Sequence, residues 1–177
     1  FPKTVDHGGA RLPRNPPVRL FFIDDHEVVR SGLRMLVERV EDFAVVGEAP
    51  DGPSAIESIA ANPPDVVVTD LVLGQSEYDG LQTIREIRRV APACRVLVLS
   101  MRKQPLHVRS ALEAGAIGYT AKDDEWRELV TAIRTVAAGE RYLSRAVIDW
   151  EGRAEAPAGD TPRHREIVRL DDEGYGY

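Results

Sequence analysis

Five times between residues 18 and 143, a short and nearly unbroken apolar run gives way to a longer stretch whose apolar residues recur at helical spacing. The runs lie at 19–23, 43–46, 66–68, 96–99 and 116–119. Val28, Val29, Leu33, Leu36, Val37 and Val40 follow the first, and Ala55, Ile56, Ile59 and Ala60 the second. After a loop to Gly80, Leu81, Ile84, Ile87 and Val90 follow the third; Val108, Ala111 and Leu112 follow the fourth, and Leu129, Ile133, Val136 and Ala137 the fifth. Strands that do not alternate polar and apolar residues are buried on both faces, which happens where helices cover both sides of a parallel sheet. The pattern therefore predicts an α/β fold with a five-stranded parallel, doubly wound sheet. Punctuation agrees: Asp51-Gly52 breaks the chain after the second run, Asn62-Pro63-Pro64 closes the second helix, and Gly139 ends the fifth.

In such a sheet a ligand sits outside the carboxyl ends of the strands, and that is where the polar residues fall. Asp24 and Asp25 end the first run, Asp70 the third and Ser100 the fourth, while Lys122 follows the fifth. Three carboxylates at one edge repel one another and require a cation. Oxygen donors with no histidine or cysteine in the pattern favour a hard divalent ion, and Mg2+ suits them because it binds one or two carboxylates and keeps waters. Lys122 adds a second positive charge and Ser100 a hydroxyl donor. An aspartate can itself be a nucleophile, forming an aspartyl phosphate, and that transfer needs mainly positioning and charge neutralisation. Taken singly these are ordinary residues. Asp24 and Asp25 would cap a helix start, His26 would lie on the surface of a first turn, and Tyr119 is as readily core as functional. Register alone makes them a site.

Composition narrows the classes further. With 23 Lys+Arg against 29 Asp+Glu, a net charge of −6 argues against a chain that coats nucleic acid through a general basic surface. The single cysteine, Cys94, excludes a disulfide framework and a multi-thiolate metal site. No apolar run approaches the ~20 residues of a bilayer span. Residues 1–17 hold four prolines and no apolar stretch, so they read as a flexible tail and not a secretory signal. The expectation is a cytoplasmic protein with no membrane contact. A nucleotide-binding enzyme is disfavoured because no glycine-rich loop follows the first strand.

The segments FFIDDHEVVRSGLRMLVE, VVVTDL, VLVLSM and GYTAKDD resemble the receiver domain of two-component response regulators, most of all the subfamily carrying a LuxR/NarL-type helix-turn-helix. The resemblance covers residues 18–143. Its spacing matches too, with 30 residues from Asp70 to Ser100, 22 from Ser100 to Lys122, and Tyr119 three before the lysine. It implies a flavodoxin-like sheet of strand order 2-1-3-4-5. It also implies that Asp70 accepts a phosphoryl group from a sensor histidine kinase. Asp25 and Asp70 would bind Mg2+ directly, Asp24 mainly through water, and the Val72 carbonyl would be a further ligand. Ser100 and Lys122 would contact the phosphoryl oxygens, with Asp70 and Lys122 the catalytic pair. Ser100 and Tyr119 would form the switch that favours a homodimer on activation. A domain of this kind is a regulatory phospho-acceptor that assists its own phosphorylation and dephosphorylation, not an enzyme in the usual sense.

Two stretches stand apart from this match. Family members usually place Met-Pro where this chain has Leu73-Gly74, and they reach the next glycine sooner than Gly80, ten residues after Asp70. Without the proline that fixes φ, this longer loop is expected to be mobile. Residues 144–160 read as a linker. Residues 161–177, with Thr161 as N-cap and Pro162 at N1, resemble the first helix of a LuxR-type helix-turn-helix with no recognition helix after it. DNA would then be bound only through a longer parent chain. Two alternatives stand beside this reading. A phosphorylation-independent receiver would act as a dimerisation or ligand-binding module. An aspartyl-phosphate hydrolase of the haloacid dehalogenase type would need an acid where Val72 stands.

Overall fold

In the computed structural model, which describes residues 15–74 and 77–148, the alternation becomes β1 (Val18–Ile23), α1 (Glu27–Val37), β2 (Phe43–Ala49), α2 (Gly52–Ala61), β3 (Val66–Thr69), α3 (Glu77–Val90), β4 (Arg95–Ser100), α4 (Pro105–Ala114), β5 (Gly118–Ala121), α5 (Trp126–Ala137) and β6 (Tyr142–Leu143). The strands form one sheet in the order β2-β1-β3-β4-β5-β6, every pair parallel. The five expected strands are present in the implied order. The sixth is an addition. At two residues it is too short to leave a hydrophobic period in the sequence, and it is defined by backbone bonds instead: Tyr142 N–H to the Ile117 carbonyl (3.1 Å) and Ser144 N–H to the Tyr119 carbonyl (3.0 Å). Gly139, at φ +85°, makes the turn into it in the left-handed region that glycine adopts without steric cost.

Alternate strand residues feed two cores. Phe21, Ile23, Val67, Val96 and Val98 pack with Ile59 of α2, Ile84 and Ile87 of α3, and Val108 and Ala111 of α4. Leu20, Phe22, Val68, Leu97 and Leu99 pack on the other face with Leu33 and Val37 of α1 and Leu129, Ile133 and Val136 of α5. Each buried aliphatic or aromatic side chain contributes roughly 1.5–3 kcal/mol. These two layers fix the strand ends relative to one another, and hence whatever the strand ends carry.

The helix starts show where local chemistry set the boundaries. Asp51 caps α2, its Oδ1 accepting the Ser54 N–H at 2.8 Å, with Pro53 in the first turn. The third helix begins at Glu77, three residues before the glycine expected to end the loop. Gly80 lies inside the first turn because the helix is pressed against the chain leaving β3: a Cβ there would sit 1.8 Å from the Leu71 carbonyl oxygen. The expectation of a mobile 71–80 loop falls partly on Gln75 and Ser76, outside the described residues, as do residues 1–14 of the expected tail and residues 149–177 of the expected linker and effector helix. Among the described residues, no helix is long and apolar enough to cross a membrane.

Candidate functional site

The carboxyl edge of the sheet collects the polar residues singled out from the sequence. Asp24 leaves β1 with its N–H on the Ala49 carbonyl (3.2 Å), and Asp70 leaves β3 with its N–H on the Ile23 carbonyl (2.9 Å). Both are buried, as is Ser100 at the end of β4. Lys122 follows β5, its backbone N–H donating to the Ser100 carbonyl at 2.9 Å. Its side chain turns back across the edge. Lys122 Nζ lies 2.6 Å from Asp24 Oδ2 and 2.7 Å from Asp70 Oδ2, so one ammonium joins carboxylates from two other strands. Burial pulls this ammonium down, but hydrogen bonds to Asp24 and Asp70 and the charge of both more than offset it and hold Lys122 above the ordinary lysine value.

Asp25 stands at the rim, more exposed than its neighbour. Its Oδ2 accepts the Gly74 N–H at 3.1 Å, and its Oδ1 lies 2.9 Å from His26 Nδ1. Val72 comes to the site through its backbone, the N–H donating to Asp70 Oδ1 at 3.3 Å. The Leu73-Gly74 sequence that replaces Met-Pro therefore still places its main chain against both acidic positions, Val72 at Asp70 and Gly74 at Asp25. Ser100 and Tyr119 meet at a third place, the backbone of Arg102. Ser100 Oγ accepts the Arg102 N–H at 3.1 Å, and the fully buried Tyr119 hydroxyl donates to the Arg102 carbonyl at 2.5 Å.

Two participants escaped the sequence reading. His26 lies at the surface as expected, but its Nδ1 faces Asp24 Oδ1 (3.1 Å) as well as Asp25, and Asp24, Asp25 and His26 offer atoms close enough together to hold a metal ion. Arg30 reaches back from the first turn of α1, its Nη1 donating to the Asp24 main-chain carbonyl at 2.5 Å. The only available signal for Arg30 was its helical position, facing the turn it anchors. Together these residues form an oxygen-rich edge with three carboxylates, one embedded ammonium and a nearby hydroxyl, an arrangement that can bind a hard cation and an oxyanion side by side.

The model of the response regulator receiver domain matches residues 20–134, and the match contains every residue just described. The chain belongs to this family. The nitrate/nitrite response regulator NarL of Escherichia coli (strain K12) is 34% identical over 172 residues, covering 92% of this chain and 79% of NarL. Among solved structures, a LuxR-family two-component response regulator from Aurantimonas sp. SI85-9A1 superposes with a TM-score of 0.72 at 37% identity, over 78% of this chain and 97% of that one. The isolated receiver domain of RcsB from Salmonella enterica serovar Typhimurium, determined with the phosphomimetic BeF3−, gives 0.69 at 26% identity, over 76% of this chain and 99% of that one. The fold is thus a receiver of the LuxR/NarL type. The extra β6 lies beyond the residues that the family model matches.

Proposed function

We propose that Asp70 accepts a phosphoryl group from a phosphohistidine of a sensor kinase, with Mg2+ bound among Asp24, Asp25 and Asp70. The observation that carries this reading is the bridge made by Lys122 to two buried carboxylates. One ammonium offsets only part of the charge of three acids, so the edge retains a demand for a cation. Its donors are mainly carboxylate oxygens, with the His26 imidazole beside two of them at the rim, and a set dominated by carboxylates suits a hard ion. Asp25 and Asp70, with the Val72 carbonyl, would hold Mg2+, and Asp24 would reach it through water. When bound, the ion neutralises charge on the phosphoryl oxygens.

The chain's own residues do the rest. An Asp70 oxygen forms the new P–O bond as the P–N bond of the phosphoimidazole breaks, and the departing imidazole takes a proton from solvent. Lys122 and the Ser100 hydroxyl meet the phosphoryl oxygens, while Arg30 keeps the Asp24 turn in place. Signal output is homodimerisation through the surface of α4, β5 and α5, acting on transcription through an effector domain of the kind NarL-type regulators carry. The RcsB receiver solved with a phosphomimetic supports the first part of this reading, and RcsB dimers solved on DNA support the second.

Intact-mass spectrometry after incubation with acetyl phosphate and Mg2+ tests it. Wild type should gain one phosphoryl group, Asp70→Asn none, and EDTA should abolish labelling. Labelling of Asp70→Asn at the wild-type rate would refute the assignment. A wild-type chain that stays unlabelled would favour the phosphorylation-independent module.

A further inference from the structure

Beyond α5 the chain turns back onto the sheet. After Gly139, Tyr142 and Leu143 run beside Gly118 and Tyr119 of β5. The Ser144 N–H is bonded to the Tyr119 carbonyl, and the Tyr142 hydroxyl reaches Glu128 of α5 at 2.5 Å. One helical turn follows, with the Val147 and Ile148 N–H groups on the Ser144 carbonyl, both at 3.1 Å. That turn inserts Val147, fully buried, into the cluster that holds Tyr119, Val108 and Ala111. Residues 142–148 are thus fastened to β5 by main chain, to α5 by a tyrosine and to the α4 side by a valine.

Tyr119 is the residue this segment touches in two ways. Its carbonyl receives the Ser144 N–H, and its side chain belongs to the cluster that Val147 completes. The Tyr119 ring and the Val147 side chain are both fully buried in this one cluster, so vacating either position opens a cavity in the packed layer they share. Few backbone bonds hold the segment, so it can open without unfolding the core. We propose that residues 142–148 form a strap whose seating and the buried position of Tyr119 are a single conformational state: a seated strap holds the tyrosine in, and a lifted strap frees it. Its use as an output of Asp70 rests on the phospho-acceptor reading above. The coupling between strap and tyrosine does not.

The test uses the 177-residue chain labelled with 3-fluorotyrosine, with the Tyr119 resonance assigned among five tyrosines by Tyr119→Phe, together with amide hydrogen exchange at Tyr142 and Ser144. In Val147→Asp, exchange at both amides should rise at least tenfold while the Leu97 and Val98 amides keep wild-type protection, and the Tyr119 resonance should move toward its solvent-exposed position. Should that variant unfold, Val147→Ala should show the same changes at several-fold. Tyr119→Ala should accelerate the two strap amides at least tenfold. A strap that opens while the Tyr119 resonance stays put overturns the proposal, as do strap amides that exchange only by global unfolding. Beryllofluoride with Mg2+ separates the two readings. If the site loads, strap exchange should slow at least threefold, and unchanged exchange refutes the output role. If the site does not load, the Asp70 assignment fails, and the variants alone decide the coupling.

Discussion

The two ends of the sheet use similar polar groups in opposite ways. At the amino end, Arg19 and Asp65 are stitched together at the surface: the Arg19 N–H donates to Asp65 Oδ2 (2.8 Å), and the guanidinium reaches the Pro63 carbonyl and Asn62 Oδ1, each at 2.6 Å. Each group has its own local partner and water nearby. At the carboxyl end, Lys122 serves two buried carboxylates at once, and among the described residues neither has another cation as close. Removing the shared ammonium there strands two carboxylates in a poorly solvated place, which costs far more than removing half of an exposed pair. The difference teaches where function can be built. Mutual dependence makes the carboxyl end expensive to perturb, whereas independence makes the amino end a fastening.

The largest effect that would break the contrast is at Lys122. Lys122→Met should destabilise the chain by about 3 kcal/mol in the absence of divalent ions, measured as the midpoint shift in urea unfolding, and added Mg2+ should recover part of the loss. Asp70→Asn should stay within about 1 kcal/mol of wild type, because it leaves Asp24 and Lys122 as a matched pair. The pH dependence has a definite sign. A lysine held above its ordinary value of 10.5 contributes stability that is complete below that pH and disappears as pH rises through the raised value. Wild type should therefore lose stability in strong alkali by a step that Lys122→Met lacks. Equal costs for Lys122→Met and an amino-end variant would erase the distinction between the two ends.

A smaller effect tests whether exposed polar groups act locally. Asp51 caps α2 at the surface, and the hydroxyl and N–H of Ser54 hold its carboxyl below the ordinary carboxylate value. Its contribution is present above pH 3.8 and is lost as pH falls through the lowered value. Asp51→Ala should cost about 1 kcal/mol at neutral pH and flatten that acid limb, with phosphoryl labelling unchanged. A loss of labelling would show that α2 supports the site more directly than its contacts suggest.

Legibility in the sequence follows the same division. The sheet could be read because burial on both faces leaves unbroken apolar runs such as 66–68 and 96–99, and the site because Asp24, Asp70, Ser100 and Lys122 each end or follow one of those runs. Hydrophobic period could not reveal β6, since two residues carry no period and its register comes from the Tyr142 and Ser144 amides. Glycine normally signals a break, so the sequence pattern starts α3 after Gly80, and only the tertiary approach of the Leu71 carbonyl explains a glycine inside the first turn. Arg30 was hidden for a related reason. Its partner is a main-chain carbonyl, and a backbone acceptor leaves no mark in side-chain spacing.

The smallest expected effect sharpens the comparison from the other side. Arg19→Ala removes the guanidinium bonds to Pro63 and Asn62 but keeps the backbone bonds, Arg19 N–H to Asp65 and Asp65 N–H to the Arg19 carbonyl (2.9 Å), because these do not use the side chain. Both freed acceptors lie at the surface, where water replaces the lost donor, so the cost should be below about 1 kcal/mol. Mg2+ affinity and labelling of Asp70 should match wild type, since the substitution lies at the opposite end of β1 from Asp24. Urea unfolding and a Mg2+ titration on the same preparation check both halves. A stability loss as large as that of Lys122→Met would mean that the amino end is as interdependent as the carboxyl end. A changed Mg2+ affinity with stability intact would mean that β1 transmits strain along its length, and the two ends would then have to be treated as one device.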